Sequence, residues 1–356
     1  MTHTDTLIVG GGLSGLRLAD LMQQSGQDYL LVEARERLGG RILSLPAGDS
    51  EFDLGPAWFW RGQPRMAALA DRFNLDVFEQ YAKGNFRFEN PQGEIAEGYG
   101  GGSMQGSMRL DGGMGALIDK LAATLPANHL LDGYSVSAAK LEAGDVTVTV
   151  NGKPDITARR VVLALPPRIA ANLSLSPALP SHVVHRLGAV PTWMAGQAKA
   201  VALYDRLFWR SAGLSGDAMS HRGPMVEIHD ASPKAGGPYA LFGFIGVPPD
   251  VRQDEHALRQ AITDQFTRLF GPDAPEPLEV LIKDWASDPQ TATKADLAPL
   301  HSHPSYGLPS AVQNLWGGRL LLSGTETARD FGGYLEGALE AAETTFQTLT
   351  EKELTR

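Results

Sequence analysis

A single lysine lies within a run that is otherwise small and apolar: Lys199, among Ala198, Ala200, Val201 and Ala202. An ammonium in such a run must find a partner or give up its proton, and either outcome makes it a candidate for chemistry. The alternative is an edge strand from which the amine snorkels to water. A second set of residues is suited to binding. Gly10, Gly12 and Gly15 are spaced G-x-G-x-x-G, directly after the apolar run Thr6 to Val9 and directly before Leu16, Leu18, Ala19 and Leu21, which read as a helix start. A second apolar run, Tyr29 to Val32, ends in Glu33. In this order Gly10 permits a tight turn, Gly12 lets the backbone approach a pyrophosphate, and Gly15 lets the helix lie close to the strand. Glu33 can then accept hydrogen bonds from a ribose. Free N–H groups and the positive dipole end at the helix start add attraction for phosphate. The implied ligand is a dinucleotide.

The groups that the chain lacks narrow the chemistry further. It contains no cysteine, which excludes disulfides, thiolate metal ligands, thiol nucleophiles and a thioether link to a cofactor. Of its nine histidines, His301 and His303 flank a Pro/Ser loop. No third and fourth ligand are spaced to join them, so they read as surface residues and no metal site is expected. The 356 residues, 43% hydrophobic and 20% charged, are ample for a buried core and point to two domains. With 31 basic and 41 acidic residues the formal charge is −10. No basic run is dense enough to follow a nucleic-acid backbone, so no nucleic-acid partner is expected. No apolar run approaches the ~20 residues of a membrane span, and the first residues lack the basic-then-apolar pattern of a signal peptide. A soluble, cytoplasmic protein with no membrane partner is the expectation.

Other elements must carry these groups. In EFDLGPAWFW, residues 51 to 60, an extended chain cannot turn Trp58, Phe59 and Trp60 toward one core. At least one should line a cavity or a cofactor; core aromatics at a domain junction are the alternative. Met66, Leu69, Ala70 and Phe73 share one helical face. Gly98 to Gly106, GYGGGSMQG, reads as a flexible loop, either a plain surface loop or a gate. Val146 to Val150 alternates Val and Thr before an Asn151-Gly152 hairpin turn. Val161 to Leu165 is a buried strand ended by Pro166 and Pro167, and Arg319 to Ser323 is another strand. Short β-like stretches at 197–204, 224–229 and 239–247, a helix from Glu255 to Phe270, and Leu278 to Trp285 suggest an antiparallel sheet with a helix packed on it. No internal repeat or low-complexity linker separates the two regions, so the domains are expected to interleave.

The continuation of the fingerprint past Glu33, ARERLGGR, resembles the second N-terminal signature of the FAD-dependent amine oxidase family, which includes monoamine, polyamine and L-amino acid oxidases. That resemblance implies FAD as the dinucleotide, with Arg35, Gly40 and Arg41 beside it and Arg41 as a second cation at its pyrophosphate. A turn followed by a solvated arginine is the alternative. Asp53 to Trp58 is similar to the family's acid-x-Gly-x-x-Trp segment, which implies that Gly55, Pro56, Ala57 and Trp58 run along the isoalloxazine ring. RLDGGMGALIDKLAATL, from Arg109, resembles the segment that re-enters the FAD domain, and Val136 stands where a valine holds the adenine through its backbone. KAVALYDRLFWR, Lys199 to Arg210, is similar to a family strand of the form K-x-x-x-x-Y-x-x-x-F-W-R, whose lysine holds a water near flavin N5. Trp285 matches a family tryptophan at the cofactor. GTETARDFGGYLEGALEAA, residues 324 to 342, resembles the C-terminal FAD signature. There Gly324 and Glu326 would meet the ribityl chain, and the helix after Gly332-Gly333 would point its positive end at the flavin. Tyr334 would stand against the ring; a tyrosine capping a helix start is the alternative.

The resemblance covers residues 5–60, 317–346 and Lys199 to Arg210, and is weak over 74–108 and 211–280. Two departures stand out. Only about 35 residues separate Phe73 from Arg109, where relatives hold a larger, helix-rich part of the substrate domain. The stretch after Trp285, residues 287 to 299, has no aromatic where relatives place a second ring; Trp58, Trp60, Trp285 and Tyr306 are the available substitutes. The expected fold is α/β: a Rossmann-type FAD-binding domain (1–75, 109–187 and 286–356) interleaved with a smaller α+β substrate domain built on an antiparallel sheet (76–108 and 188–285). The expected function is an amine oxidoreductase with non-covalent FAD. Hydride would pass from a primary or secondary amine to flavin N5, the imine would be released and hydrolysed, and O2 would be reduced to H2O2. Lys199 and Tyr334 are the catalytic candidates, Gly333 belongs to the cofactor turn, and a homo-oligomer is compatible with the chain. The alternatives are a flavin desaturase or dehydrogenase acting on a non-amine, and a non-catalytic FAD-binding interaction protein.

Overall fold

The structure is a computed structural model that describes the chain except residues 1, 100, 101, 103, 299, 301, 309–311, 313, 355 and 356, and the side chains of 352–354. His301 therefore lies outside the described residues, as does part of the Gly98–Gly106 segment.

Two sheets dominate. The first has eight strands, and its centre is parallel: Leu130–Leu131, Tyr29–Val32, Thr2–Val9 and Ile156–Leu163 lie side by side. All four residues of Tyr29–Val32 are buried, as a run covered on both faces requires. The first strand starts at Thr2, earlier than its apolar run, because its opening residues pair with Ile156–Ala158. On its other edge Ile156–Leu163 serves two neighbours: its first half takes the hairpin strand Asp145–Val150, and its second half takes Leu320–Leu322. The strands ending at Val9, Leu163 and Leu322 thus deliver Gly10, Ala164 and Ser323 to one place, with Ala164 N–H on Val9 O (2.8 Å) and Ser323 N–H on Leu163 O (2.9 Å). Ligands of such sheets bind beyond the carboxyl ends of the parallel strands. Helix Leu13–Ser25 packs on one face with helix Leu335–Leu354, burying Leu16, Leu18, Met22, Leu339 and Ala342 in a common core.

The second sheet has seven strands in the order Glu279–Asp284, Ala198–Tyr204, Tyr239–Ile245, Met225–Asp230, Leu214–Ser220, Asn85–Glu89, Ile95–Tyr99. Pairing is antiparallel except between Leu214–Ser220 and Asn85–Glu89. Helix Glu255–Phe270 covers one face through Leu258, Ile262, Phe266 and Leu269. The opposite face carries Val201, Leu203, Ala240 and Phe242, and packs against Phe52 and Leu54. Asn85–Glu89, Leu214–Ser220 and the start of Ile95–Tyr99 had no expectation from the sequence, and Gly98 and Tyr99, expected to open a flexible loop, instead end that strand because they pair with Phe86 and Asn85. Ala198–Tyr204 lies between two partners and is buried throughout, which rules out the edge-strand reading of Lys199.

Candidate active site

The glycine turns are held against each other by backbone. Gly39 N–H donates to Gly11 O (2.8 Å), and a Cβ on Gly40 would lie 3.1 Å from Gly12 Cα. A Cβ on Gly10 would meet Ala164 O at 2.5 Å, and one on Gly15 would meet Gly10 O at 2.0 Å, so protein packing alone demands both glycines. Gly12 differs, because a Cβ there would find only ordinary contacts, the nearest at 3.8 Å. Its lack of a side chain leaves space at the start of helix Leu13–Ser25, where a phosphate would lie. Glu33 is buried; it accepts the Gly11 N–H through Oε2 (2.7 Å) and the Arg35 N–H through Oε1 (3.0 Å). Arg35 also donates to Asp288 (2.8 Å) and Thr291 (3.0 Å), so the loop after Trp285 is fastened beside the fingerprint acid. Arg37, which the sequence reading passed over, donates to the carbonyls of Leu38, Gly40 and Ile42 and shapes the Gly39–Arg41 turn. Val136 begins the strand Val136–Glu142, and the segment leading to it runs along the end of the Glu33 strand, with Tyr134 N–H on Glu33 O (2.8 Å).

Glu326 is buried in the short turn Thr325–Thr327. Arg41 Nη2 comes within 2.7 Å of its Oε1, yet neither carboxylate oxygen receives an aligned hydrogen bond. A buried carboxylate with both oxygens unsatisfied calls for hydroxyl or amide donors from outside the protein. The orphaned Glu326, the vacant space at Gly12 and the cation Arg41 together fit a ribityl pyrophosphate, as FAD requires. A Cβ on Gly324 would press on Leu165 O at 2.9 Å.

Trp58, Phe59 and Trp60 diverge, as an extended chain demands. Phe59 joins the core beneath helix Pro64–Arg72. Trp60 sets its edge against Tyr334, with ring centres 6.1 Å apart. Trp58 turns to the second sheet, 5.0 Å from Phe242 and 5.1 Å from His229, and its indole N–H donates to Gln80 (2.8 Å). Trp285 is buried and donates to Leu54 O (2.9 Å). Gly55 passes so close to Arg41 that a Cβ would lie 2.1 Å from its carbonyl oxygen; Pro56 and Ala57 follow.

Lys199 crosses the junction. It is 3% exposed, its Nζ donates to Gly55 O (3.0 Å), and it sits 3.9 Å above the Phe242 ring. Burial pulls its pKa down to about 7; Asp53 acts to raise it and Arg109 to lower it further. Asp53 accepts from Ser44 (2.6 Å) and from the Met114 N–H (2.9 Å), and burial pushes its carboxyl up. Trp209 and Arg210, the end of the K-x-x-x-x-Y-x-x-x-F-W-R run, both donate to the buried Asp230 at 2.8 Å, so that part of the motif builds the sheet.

Two features of this region carried no signal in linear spacing. His229 is 1% exposed and lies between Asp217 (2.8 Å) and Glu227 (2.9 Å). Burial opposes the imidazolium, but the two carboxylates outweigh it and hold the pKa above the ordinary value. The second is a correction. His303 is not a free surface residue: its ring lies flat on Tyr334, 4.7 Å between centres at 10°, and its Nε2 is buried without a partner. Its contact with Tyr334 joins residues of two different elements, which no spacing rule encodes. Among the described residues no three acidic or histidine side chains converge as a metal site, and no helix is long and apolar enough to cross a membrane.

Comparison with known proteins agrees with this geometry. The model of the family described as flavin containing amine oxidoreductase matches residues 91–347, and that of an NAD(P)-binding Rossmann-like domain matches residues 8–73. A "Probable flavin-containing monoamine oxidase A" of Dictyostelium discoideum is 22% identical, covering 96% of each chain. That alignment runs over 450 positions, more than this chain's length, so the relative carries segments absent here. An L-amino acid dehydrogenase of Synechocystis is 23% identical over 95% of this chain and 93% of its own. A putrescine oxidase solved with putrescine superposes with a TM-score of 0.81 at 20% identity, covering 98% of this chain and 99% of that one. The chain belongs to the flavin-containing amine oxidoreductases, and its cofactor is FAD.

Proposed function

We propose that the protein oxidises a primary or secondary amine to the imine, which water hydrolyses, and that O2 takes the electrons to give H2O2. FAD supplies the two-electron acceptor when bound. Glu33, Gly12, Arg41, Gly324 and Glu326 would hold its adenosine, pyrophosphate and ribityl parts, Val136 its adenine, and Gly55 to Trp58, Trp285 and Gly333 the neighbourhood of its ring. In this reading the aromatic pairs Trp58–Phe242 and Trp60–Tyr334 would flank the substrate, and the solvent an amine loses there would favour its neutral, oxidisable form.

The observation that carries the reading is Lys199. It spends one Nζ donor on Gly55 O; with a pKa near 7 it is protonated in part and neutral in part at physiological pH. Such a group can hold a water and deliver charge or a proton where O2 is reduced. Anaerobic addition of a panel of amines to the yellow protein should bleach the visible flavin band, and admitting air should restore it with one H2O2 per cycle. A bleached flavin that air leaves reduced, but an artificial dye reoxidises, would make the protein a dehydrogenase, as its Synechocystis relative is named. No bleaching by any amine would overturn the proposal.

A further inference from the structure

His303 is held more firmly than its loop position suggests. Its ring stacks on Tyr334, meets Trp193 at a tilt at 4.9 Å and takes an edge contact from Tyr306 at 5.6 Å. Tyr306 is fixed in turn by its hydroxyl on Pro191 O (2.9 Å), and Gly307 N–H reaches Glu326 O (3.4 Å). The imidazole therefore belongs to the same wall as Glu326 and Tyr334. A phenyl ring would satisfy the stacking and edge contacts equally well; what the imidazole adds is a nitrogen. That nitrogen, Nε2, is buried and has no hydrogen-bond partner, a costly state for a polar atom unless a ligand completes it. Gly333 keeps any side chain off the atom, since a Cβ there would lie 2.8 Å from Nε2.

We infer that His303 touches the bound substrate, its Nε2 accepting an N–H of the amine, so that the site favours amines retaining an N–H over tertiary amines. The inference rests on the amine oxidase reading and deepens it. Neutral primary and secondary amines carry such a hydrogen and neutral tertiary amines do not, so one contact separates the classes by hydrogen bonding.

The test compares wild type, His303→Phe and His303→Gln as FAD-loaded proteins. The probes are matched primary, N-methyl and N,N-dimethyl amines on butyl, cyclohexyl and benzyl frames. The dissociation constant, expressed per neutral amine, and the limiting rate are read from anaerobic flavin reduction. In H303F the dissociation constant for primary amines should rise about tenfold, that for tertiary homologues should stay within about twofold, and the limiting rate should change little. H303Q, which places an acceptor near the lost nitrogen, should recover most of the preference. Should H303F not retain flavin, His303→Leu reads the same primary-to-tertiary ratio. A wild type that amines reduce, with that ratio unchanged in the variants, overturns the inference alone; a wild type that no amine reduces overturns it together with the proposed function.

Discussion

Lys199 shows how one side chain can be costly to the fold and useful to the site. Its pKa falls from 10.5 to about 7 on burial, so the folded chain resists a proton that the unfolded chain binds. The sign follows: above pH 10.5 neither state is protonated and there is no penalty; as pH falls toward 7 the unfolded state gains the proton and stability is lost; below 7 the full penalty is present. Lys199→Met should therefore stabilise the protein at pH 7 by on the order of a few kcal/mol, and the advantage should shrink by pH 9.5. Denaturant titrations at the two pH values measure it, and a gain that is equal at both would refute the buried-amine account. The same variant should keep its flavin and be reoxidised by O2 more slowly. This residue was legible in the sequence because a cation inside an apolar run is conspicuous. His303 was not, because its Pro/Ser surroundings look solvated, and its partner Tyr334 lies on another element, brought alongside only by the fold.

Elements were legible where their own residues decide them. Tyr29–Val32 and Ala198–Tyr204 are buried on both faces and read as apolar runs; Glu255–Phe270 has an apolar stripe and Asp254 capping the Ala257 N–H. The strands that escaped are held by distant pairing. Leu214–Ser220 contains Ser, Gly and Asp, has Gly216 at φ +87°, and joins Asn85–Glu89 with a register shift. Glu89 inside that partner is buried with Arg268 of the covering helix and the Ser220 hydroxyl of the neighbouring strand both bonded to its carboxylate. A similar long-range device fixes helix Pro64–Arg72. No side chain of its own caps it; Glu336, from the first turn of Leu335–Leu354, accepts the Arg65 N–H (3.0 Å) and the Met66 N–H (2.9 Å), and pairs with the Arg65 guanidinium (3.2 Å). The clasp ties the segment bearing Trp60 to the turn bearing Tyr334. Glu336→Gln puts an amide donor against these donors and should cost about 2–4 kcal/mol in chemical denaturation. A loss below about 0.5 kcal/mol would show the clasp to be dispensable.

At the scale of the molecule, sequence-distant segments meet: the Gly10–Gly15 turn, the Gly39–Arg41 turn, Gly55 and Glu326 come from residues 10 to 326 and touch one another, Gly39 on Gly11, Gly55 against Arg41, and Arg41 on Glu326, where we propose that they hold one FAD. Their glycines and acids were legible as signatures. The cost of bringing them together was not, because it appears only when burial and partners are known. Glu326 is buried with both oxygens lacking aligned donors and Arg41 as its counter-ion; in the proposed reading FAD brings the donors that this acid lacks. Binding only to the folded chain, FAD should raise the melting temperature with concentration, by RT ln(1 + [FAD]/Kd) in free energy. Glu326→Gln separates the two sides of this balance. The apoprotein loses a buried charge and should melt within a few degrees of wild type, or above it, since Arg41 is still 27% exposed and can be solvated. The increment on adding FAD should fall, since an amide accepts the ribityl hydroxyls more weakly than a carboxylate. Melting curves of both proteins with and without FAD give the four values needed. If the apoprotein collapses while the FAD increment is kept, Glu326 is a structural acid and the convergence of segments on FAD must be carried by the glycine turns alone.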